Sequence, residues 1–386
     1  MSGPFGEGRL RWLLRLAALV LLAAGAASLP RARAQEAPVR TIDEEITAFA
    51  YAPDGRIAYA VRRLFKTKQY DLQRDDIWIE GADGKRRRVV QGEKFMRGSA
   101  PVSYTVNRFR WSADGRRIVA ELFTTAVVDA EGNTRDLKQA LLLDDAGKEI
   151  RINDRESMIP DANNAAWLAD GATVVYLTEA VKPHLLYSIQ TMRPAAGRGG
   201  PLFAGRTFLD ADWIAKTDMG IVIERDRALS GPPRIQRLDL GKEVDTELAT
   251  LDGYAGGLEV SPSGTKVAYY IDHEVLEIRD LTAPNRIARL RVGFGVFQWA
   301  PDEKRILLKR APERKAGELV WIAVPPLLGE SVKKKEPDGG VVQPALEPIF
   351  HGLSIHDFQI SPDGRYLAVV APGKGSLVIY PLAAAR

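Results

Sequence analysis

The chain repeats one pattern of apolar and polar positions along most of its length. In each copy, alternate apolar positions lead into a short polar turn, and a nearly continuous apolar run follows. The clear copies are FAYAPDGRIAYAV from Phe49, FRWSADGRRIVAEL from Phe109, AAWLADGATVVYL from Ala165, LEVSPSGTKVAYY from Leu258, FQWAPDEKRILLK from Phe297 and FQISPDGRYLAVV from Phe358, and a degenerate copy, WIAKTDMGIVIE, begins at Trp213. A period of two is typical of a strand with one buried face, and a short continuous apolar run is typical of a strand buried on both faces. Each copy therefore predicts a strand, a turn and a second strand.

The turn between these two strands has a chemistry of its own. In the last copy it is Ser361-Pro362-Asp363-Gly364, with proline second and glycine fourth. Proline presets φ near about −65°, the aspartate side chain accepts hydrogen bonds from nearby backbone, and glycine accepts the positive φ that closes a type I turn with a bulge. The pattern predicts a tight hairpin in each copy.

Two more strands follow in most copies. The expected third and fourth strands are 77–79 and 88–90 in the first copy, 140–143 and 149–152 in the second, and 319–323 and 348–350 in the sixth. Four sequential antiparallel strands form one blade of a propeller. The turn spacings, from 39 to 61 residues, are too irregular for a helical solenoid, and no segment after residue 34 has a convincing helical period. We predict an all-β fold, a seven-bladed β-propeller, with six blades as the alternative if the copy at Trp213 is not a full unit.

The two ends of the repeat region complement each other. The last copy ends at Arg386 after three strands and lacks an outer strand, whereas 39–42 precede the first copy and belong to no unit. Pairing of 39–42 with the last blade supplies the missing outer strand and gives 39–42 a place in a unit. It also leaves no sheet edge open. We therefore expect the ring to be closed by this N-terminal strand.

The repeated phrase [FW]-x-[YW]-[SA]-[PA]-D-G-x-x-I-A-Y resembles the TolB-type, WD-repeat-like β-propeller repeat of exported bacterial proteins. The resemblance covers most of residues 39–386. TolB itself has an α/β domain before its propeller, and prolyl-oligopeptidase relatives append an α/β-hydrolase domain, but this sequence has room for neither between Ala34 and Phe49 or after the last copy. The resemblance implies a stand-alone propeller that acts in protein interaction or scaffolding, and it transfers no catalytic residue.

The N-terminal 34 residues differ from the rest in composition. Three arginines precede an uncharged run from Leu16 to Leu29, whose length of about 21 Å as a helix is short of the roughly 30 Å of a bilayer core. Ala32-Arg33-Ala34 provides a signal-peptidase site, so we predict a signal peptide over 1–34, with cleavage after Ala34, and a single propeller domain over 35–386. An uncleaved anchor is the alternative. The expected location is the periplasm or the exterior.

The net charge of +4 comes from this N-terminal segment. Residues 1–34 contain five arginines and one acidic residue, so the remainder holds 49 basic and 49 acidic residues. The high pI is therefore no argument for nucleic-acid binding, and we expect none. The absence of cysteine excludes disulfides and lipid attachment to cysteine, so the fold depends on burial alone.

No motif in the sequence specifies a reaction. The segment from Gly352 to His356 lacks the second glycine of a nucleophile elbow, and Gly293-Phe294-Gly295 lacks the third glycine of a dinucleotide site. His351 and His356 with Asp357 are candidate zinc ligands, and Asp210 with Asp212, or Asp71 with Asp75 and Asp76, are candidate calcium ligands. Solvated loop histidines and structural carboxylates are the favoured interpretations. We expect no catalytic residue, no metal and no cofactor.

Trp111, Trp167 and Trp299 occupy the same position in three copies, three residues before the turn aspartate. Equivalent placement favours packing between blades over the stacking of a carbohydrate ligand.

The loops at the face opposite the Asp-Gly turns are the predicted binding surface. Loops between second and third strands are long there, over 62–74 and 124–135. The candidate binding residues, for an acidic peptide or an envelope polymer, are Arg62, Arg63, Lys66, Lys68, Tyr70, Arg310, Arg314 and Lys315. A solvated rim of mixed charge is the alternative.

Two classes of function remain open from the sequence. The first is a monomeric protein-interaction or scaffolding propeller in the cell envelope, whose partner is an envelope protein or peptide. The second is a propeller hydrolase or lyase with a site at the channel mouth, which needs two carboxylates and His273 or His356 to converge on the first strands.

Overall fold

The computed structural model describes residues 37–66, 71–94, 102–127, 134–153, 156–181, 186–310, 317–329, 340–351, 357–371 and 374–382. The predicted signal peptide, 1–34, lies outside the described residues. The described chain is all β, apart from one 3-10 helix at Pro194–Ala196. Among the described residues, no helix has the length and apolar character that a membrane-spanning helix requires.

Most strands belong to antiparallel units of four strands in chain order, and one strand precedes them all. The first strand of the chain is β1 (Arg40–Ile42). The first unit contains β2 (Ile46–Tyr51), β3 (Ile57–Val61), an inserted hairpin of β4 (Leu64–Lys66) and β5 (Asp71–Gln73), then β6 (Asp76–Glu80) and β7 (Arg86–Val90). The second unit contains β8 (Val102–Trp111), β9 (Arg117–Val127), β10 (Thr134–Asp144) and β11 (Met158–Pro160).

The third and fourth units share one continuous sheet. The third contains β12 (Asn163–Trp167), β13 (Val174–Val181), β14 (Leu186–Arg193) and β15 (Arg198–Leu202). The fourth contains β16 (Phe208–Ile214), β17 (Met219–Glu224), β18 (Arg234–Asp239) and β19 (Val244–Thr250). Only the pair Tyr187 and Phe208 joins β14 to β16. The degenerate copy at Trp213 is therefore a complete four-stranded unit.

The remaining strands form two further units and a terminal unit. The fifth unit contains β20 (Gly256–Val260), β21 (Lys266–Tyr270), β22 (Val275–Asp280) and β23 (Arg286–Arg291). The sixth contains β24 (Gly295–Trp299), β25 (Arg305–Arg310), β26 (Glu318–Ala323), the short β27 (Leu328–Gly329) and β28 (Val341–Val342), which pair with β23, and then β29 (Leu346–His351). The terminal unit contains β30 (Phe358–Ile360), β31 (Tyr366–Val370) and β32 (Leu377–Pro381), with β1 as its fourth strand.

The repeated hairpins form as the sequence predicts. In the terminal unit, the N–H of Gly364 donates to the carbonyl of Ser361 at 2.8 Å, and the φ of Gly364 is +71°. The Asp363 carboxylate accepts from the N–H of Arg365 at 3.0 Å and from the Ser361 hydroxyl at 2.5 Å. The same turn geometry recurs with Gly55, Gly115 and Gly264. Local turn chemistry thus fixes the first two strands of each of these units.

The second unit departs from the sequence prediction at its outer edge. The predicted fourth strand, 149–152, is wrong, because only single bridges form at Glu149 and Ile152, and β11 pairs with β10 instead. A turn at Asn153, with a φ of +49°, carries the chain away from this edge before it returns. The predicted loop over 124–135 is also shorter than expected, since β9 extends to Val127 and β10 begins at Thr134.

Apolar clusters lie between consecutive units. Six clusters join the units in order from the first to the terminal one. A further cluster joins the terminal unit to the first, with Phe49 and Tyr59 of the first unit on one side and Ile42, Ala368 and Leu377 of the terminal unit on the other. Burial of each large apolar side chain contributes about 1.5–3 kcal/mol, so the core is distributed between the sheets.

Candidate functional site

The antiparallel order of strands gives the units two distinct ends. The Pro-Asp-Gly-type turns join first to second strands at one end, which we call the turn face. Loops between second and third strands and connections between units lie at the other end, which we call the loop face. Loops displayed on a packed scaffold are the usual place for binding residues, which makes the loop face the first candidate surface.

The predicted basic residues of the first unit are held by carboxylates of the same region. Arg62 forms an ion pair with Glu45 at 2.7 Å. Arg63 forms ion pairs with Glu44 at 2.7 Å and with the buried Asp76 at 3.2 Å. Hydrogen bonds to these carboxylates raise the pKa of Arg63, although burial opposes this effect. These two arginines therefore stabilise the local structure, whatever else they bind.

The other predicted binding residues are divided between two sheets. Lys66 is exposed on β4 in the first unit. Arg310 ends β25 in the sixth unit and forms an ion pair with Glu318 at 2.6 Å. Lys68, Tyr70, Arg314 and Lys315 lie outside the described residues. The structure thus places Arg62, Arg63 and Lys66 together, and it places Arg310 in a different unit.

Large apolar side chains cluster on the loop face between the fifth and sixth units. Phe294 and Val296 are 55% and 61% exposed, and Tyr254 is 38% exposed. The ring of His273 lies 4.6 Å from that of Tyr254 and 6.1 Å from that of Phe294, measured between centroids. The buried Tyr270 packs against this aromatic cluster, and the centroid of its ring lies 5.1 Å from that of Phe294. Exposed apolar groups gathered in this way mark contact surfaces in soluble proteins.

The sequence contains a weak signal for this aromatic cluster. Phe294 lies between two glycines where β23 leads into β24, in the motif that lacks the third glycine of a dinucleotide site. An apolar residue in a glycine-flanked connection has no strand face on which to be buried, and exposure follows from that. Tyr254 and His273 gave no comparable signal, because only the tertiary structure brings their loops to Phe294.

Charged side chains converge on the first strands of the second, fourth and fifth units. Arg110 donates to the Asp212 carboxylate at 3.3 Å, and Arg108 donates to the side-chain carbonyl of Asn164 at 3.2 Å. Asp210 and Glu259 lie on the first strands of the fourth and fifth units. We call Arg108, Arg110, Asp210, Asp212 and Glu259 the first-strand cluster.

Burial shifts the ionisation of this cluster. Desolvation, together with the positive charge of Arg108, lowers the pKa of Arg110 to about 10, against the opposing effect of the Asp212 charge. Desolvation raises the pKa of Asp210 to about 6. Desolvation also raises the pKa of Glu259 well above its usual range, and the Asp212 charge adds to this effect. Raised carboxyl pKa values of this kind occur at catalytic sites and in structural networks alike.

The hydrogen bonds of these carboxylates identify a structural role. Asp212 accepts from the backbone N–H of Val260 at 2.9 Å, and Asp210 accepts from that of Leu258 at 3.2 Å, so both bind the next unit. Glutamine performs the same role elsewhere: the carbonyl of Gln298 accepts from Ile360 at 2.9 Å, and that of Gln359 accepts from the Tyr51 N–H at 2.7 Å.

Tryptophan links other junctions between units. The indole N–H groups of Trp111 and Trp299 donate to the carbonyls of Ala50 and Glu259, each at 3.2 Å. Trp299 is 2% exposed within the cluster between the fifth and sixth units, and Trp167 lies in the cluster between the second and third. The prediction that Trp111, Trp167 and Trp299 pack between units is confirmed.

Two of the candidate calcium ligands also accept structural hydrogen bonds. Asp75 accepts from the Thr47 hydroxyl at 2.7 Å and from the Val106 N–H at 2.8 Å, which ties the first unit to the second. Asp76 accepts from the Gly92 N–H at 2.8 Å. His356 lies outside the described residues, and only the backbone of His351 is described. Within the described ranges, no three histidine, aspartate or glutamate side chains form a group suited to a metal ion.

Comparison with known proteins identifies the fold. No family model and no curated protein matches the sequence. The chain is similar to a chain in the crystal structure of the mitotic checkpoint complex, with a TM-score of 0.55 and 13% identity, covering 92% of this chain and 95% of that one. It is similar to the Myceliophteria thermophila Cps50 (Swd1) β-propeller domain, with a TM-score of 0.53 and 12% identity, covering 89% and 100%. It is also similar to the C-terminal WD40 domain of Sif2, with a TM-score of 0.50 and 11% identity, covering 90% of this chain and 98% of that one.

The fold is a WD-repeat-like β-propeller. Each four-stranded unit is a blade, and in a propeller the first strands of the blades line a central channel. TM-scores of 0.50–0.55 over about nine-tenths of this chain establish the fold, and identities of only 11–13% assign it no activity.

Within the propeller, the first-strand cluster lies along the channel. The second functional class, a channel-mouth enzyme, needs His273 or His356 beside such carboxylates. His273 instead lies against Tyr254 in the aromatic cluster, with the two rings tilted by 39°. The oxygens of Asp210 and Asp212 are used to hold neighbouring blades together. His356 lies outside the described residues.

Proposed function

We propose that this chain is an exported β-propeller that acts as a protein-interaction or scaffolding module in the periplasm or cell envelope, with an envelope protein or peptide as its partner. The WD40 propeller neighbours support an interaction module. The signal-peptide features of 1–34 support export, with the propeller beginning at residue 35. The repeat phrase supports membership of the TolB-type family.

The proposed architecture is a closed ring of seven blades, formed by the six units and the terminal unit. Pairing of β1 with β32, in which Arg40, Thr41 and Ile42 lie opposite Ile379, Val378 and Leu377, supports closure. The apolar cluster between the terminal and first units supports it as well. So does the hydrogen bond from the Tyr51 N–H to Gln359. We propose that this ring is monomeric.

The observation that carries the proposed function is the aromatic cluster on the loop face. Tyr254 and Phe294, with Val296 beside them, expose apolar surface on a rigid scaffold, and such surface is enriched where proteins contact one another. Because Tyr270 and Phe297 are buried beneath this cluster, its side chains are held in place before a partner arrives. A preorganised surface loses little entropy on binding.

A capture experiment with matched variants tests the proposed function. The mature chain, residues 35–386, carries an affinity tag and is crosslinked in the envelope of its own cells. We expect one or a few proteins to be captured by the wild-type chain and lost from the variant F294S/V296S. The control is L64S, since Leu64 is 70% exposed on the same face but lies on β4, and it should retain capture. Equal capture by all three chains contradicts the proposal.

The basic residues predicted from the sequence form a second proposed contact on the loop face. Lys66 tests it best among Arg62, Arg63, Lys66 and Arg310, because the three arginines are held in ion pairs within the chain. We expect K66E to weaken capture of the same partner severalfold if that partner presents an acidic segment. If K66E captures the partner as well as the wild type does, Lys66 does not contact the partner, and the aromatic cluster remains as the proposed contact.

A further inference from the structure

Backbone N–H groups on the inner edges of three first strands are bound by side chains of the preceding unit. The acceptor is a planar side-chain oxygen at one repeat position, four residues before the turn aspartate or its equivalent. We call it the ladder position, and the three acceptors there are Asp212, Gln298 and Gln359. They accept, in that order, from the N–H groups of Val260 at 2.9 Å, Ile360 at 2.9 Å and Tyr51 at 2.7 Å.

Two other inner-edge N–H groups do not receive such an acceptor. The ladder positions before the second and third units hold Ala50 and Arg110, and neither side chain can accept a hydrogen bond. The N–H groups that face these positions belong to Trp111 and Trp167. Within the described part of the chain, neither N–H group has an acceptor. A donor of this kind can be satisfied by a ligand oxygen or by water.

The pairing of the hairpins sets the direction of these two N–H groups. The N–H of Ser112 donates across the turn to the carbonyl of Arg117, and that of Leu168 donates across its own turn, both at 2.8 Å. Successive residues of an antiparallel strand face the partner strand and the opposite side in turn. The N–H groups of Trp111 and Trp167, one residue earlier, therefore point away from the second strands and toward the channel.

Arg110 adds an ionic donor beside the N–H of Trp167. It occupies the ladder position from which Asp212 reaches the next unit, so its side chain begins next to that N–H. Among the described residues, its guanidinium group makes one hydrogen bond, to Asp212 at 3.3 Å. Its side chain is 19% exposed, so solvent reaches it from the channel. Desolvation and the charge of Arg108 lower the pKa of Arg110 to about 10, so Asp212 offsets the cost of this buried charge only in part.

The carboxylates of the fourth unit are directed elsewhere. Asp212 accepts from the N–H groups of Val260 and Trp213 at 2.9 and 3.0 Å. Asp210 accepts from the N–H of Leu258 at 3.2 Å. Both therefore bind the inner edges of the fourth and fifth units, and the inner edge of the third unit is left to an acceptor from outside the chain.

We propose that the channel binds a carboxylate between the second and third units, with the Arg110 guanidinium group and the N–H of Trp167 as its donors. The bound group takes the role that Asp212 has before the fifth unit. The charge-assisted bond to arginine favours a carboxylate over a neutral amide. Arg108 is exposed on the same strand, nearer the loop face, and extends the positive charge toward that face. The inference is independent of the proposed function, because a free acid, a peptide C-terminus or an acidic side chain can each supply the carboxylate.

Three carboxylate probes test the site and distinguish these sources. They are sodium acetate, acetyl-Gly-Gly-Gly with a free C-terminus, and acetyl-Gly-Asp-Gly-amide, and the neutral control is acetyl-Gly-Gly-Gly-amide. Binding to the mature chain, residues 35–386, is measured at constant ionic strength by NMR titration of the Trp167 amide. We expect saturable shifts with a Kd on the order of 1 mM for at least one carboxylate, and at least tenfold weaker binding of the neutral control. The probe that binds most tightly identifies the source.

Substitutions of Arg110 provide the decisive comparison. R110Q places at this ladder position the side chain that Gln298 supplies before the terminal unit. The new amide oxygen should accept from the N–H of Trp167, so both donors are lost to the ligand. We expect at least tenfold weaker binding with a urea midpoint close to that of the wild type. R110K keeps the charge without the planar fork and should bind about threefold more weakly.

The matched control is R116Q, which removes the same charge from an exposed position in the turn of the same unit and should change the Kd less than twofold. The proposal is overturned if the neutral control binds as tightly as the carboxylates, if the shifts lie outside the second and third units, or if R110Q binds like the wild type. If R110Q does not fold, R110K decides, and an unchanged Kd for it overturns the proposal. Capture of a partner through Phe294 and Val296 does not involve Arg110, so failure of this site leaves the proposed function as it stands.

Discussion

Glu303 occupies the position that glycine holds in the other clear turns. Its φ is +55°, a region that is unfavourable for a residue with a Cβ atom. Its carboxylate accepts from the N–H of Ser263 at 2.5 Å and pairs with the Lys266 ammonium at 2.8 Å, both in the preceding blade. The contact between blades therefore offsets the backbone strain at this turn.

This balance predicts different effects for two substitutions of Glu303. E303A loses the contacts and keeps the strain, so the free energy of unfolding should fall by about 1–2 kcal/mol. E303G also loses the contacts but relieves about 1 kcal/mol of strain, so its stability should remain close to that of the wild type. Urea unfolding of both variants checks this, with G364A as the control in which only strain changes. Equal loss in E303A and E303G contradicts the explanation.

Asp210 introduces a pH dependence into the channel. Burial raises its pKa in the folded protein to about 6, above the value near 4 that an aspartate has when unfolded. Between these two values the folded state holds a proton that the unfolded state has released. The contribution of Asp210 to the free energy of unfolding therefore decreases as the pH rises from about 4 to about 6.

The D210N variant should lose this contribution. We expect the difference in unfolding free energy between the wild type and D210N to shift in favour of D210N as the pH rises through this window. Urea unfolding at pH 4.5, 5.5 and 7 measures it. D114N is the control of opposite sign, because the Ser112 hydroxyl lowers the pKa of Asp114 in the folded protein. Its stabilising contribution is present above pH 4 and is lost as the pH falls. A pH-independent difference for D210N contradicts the assignment.

The short strand β1 illustrates how much one element contributes at the scale of a sheet. Three residues supply the fourth strand of the terminal unit, and Ile42 is only 2% exposed. Ile42 also packs with residues of the first unit, such as Ile46 and Phe49. One strand therefore contributes to the edge of one sheet and to the core of the next.

Truncation of the Ile42 side chain should therefore lower the free energy of unfolding substantially. I42A removes buried apolar atoms from a site held on both sides, and we expect a loss of about 2–4 kcal/mol in the free energy of unfolding. V39A is the matched control, because Val39 precedes the same strand but is 57% exposed, and it should cost less than about 0.5 kcal/mol. Denaturant titration of the two variants gives the comparison. Similar losses would mean that β1 contributes little beyond its backbone pairing.

Individual elements also show where sequence reasoning succeeds and fails. First and second strands were predictable in every copy, because turn chemistry and apolar periodicity act within about a dozen residues. The fourth strand of the second blade was not predictable. Residues 149–152 have an acceptable strand pattern, but the edge of β10 is occupied by Met158–Pro160 after an intervening turn. Outer strands have few neighbours, so their sequences carry little information about pairing.

At the scale of the whole molecule, the blades are linked by contacts that cross every junction described. Apolar clusters lie between consecutive blades and between the terminal and first blades. Side-chain oxygens of Asp212, Gln298 and Gln359 accept from the backbone of the next blade. Such coupling holds the described blades together and so fixes the position of the aromatic cluster on the loop face.

The candidate sites were largely invisible in the sequence. Arg62 and Arg63 attracted attention as basic loop residues, but Glu44 and Glu45, which pair with them, lie before β2 and became neighbours only on folding. The aromatic cluster joins Tyr254, His273 and Phe294, which lie in three different loops. No local pattern relates such positions.

The sequence by itself determined the repeated hairpins, because each arises from turn residues and apolar alternation within a few positions. It also indicated that 39–42 lie beside the last strand, since both ends of the repeat region lacked a partner. The tertiary structure alone decided which polar side chains are buried. Glu277 and Arg279 alternate with apolar residues on β22 as an exposed face would, yet they are 0% and 3% exposed and pair at 2.6 Å. Neighbouring blades cover both faces of each strand, and their positions depend on contacts between residues far apart in the chain.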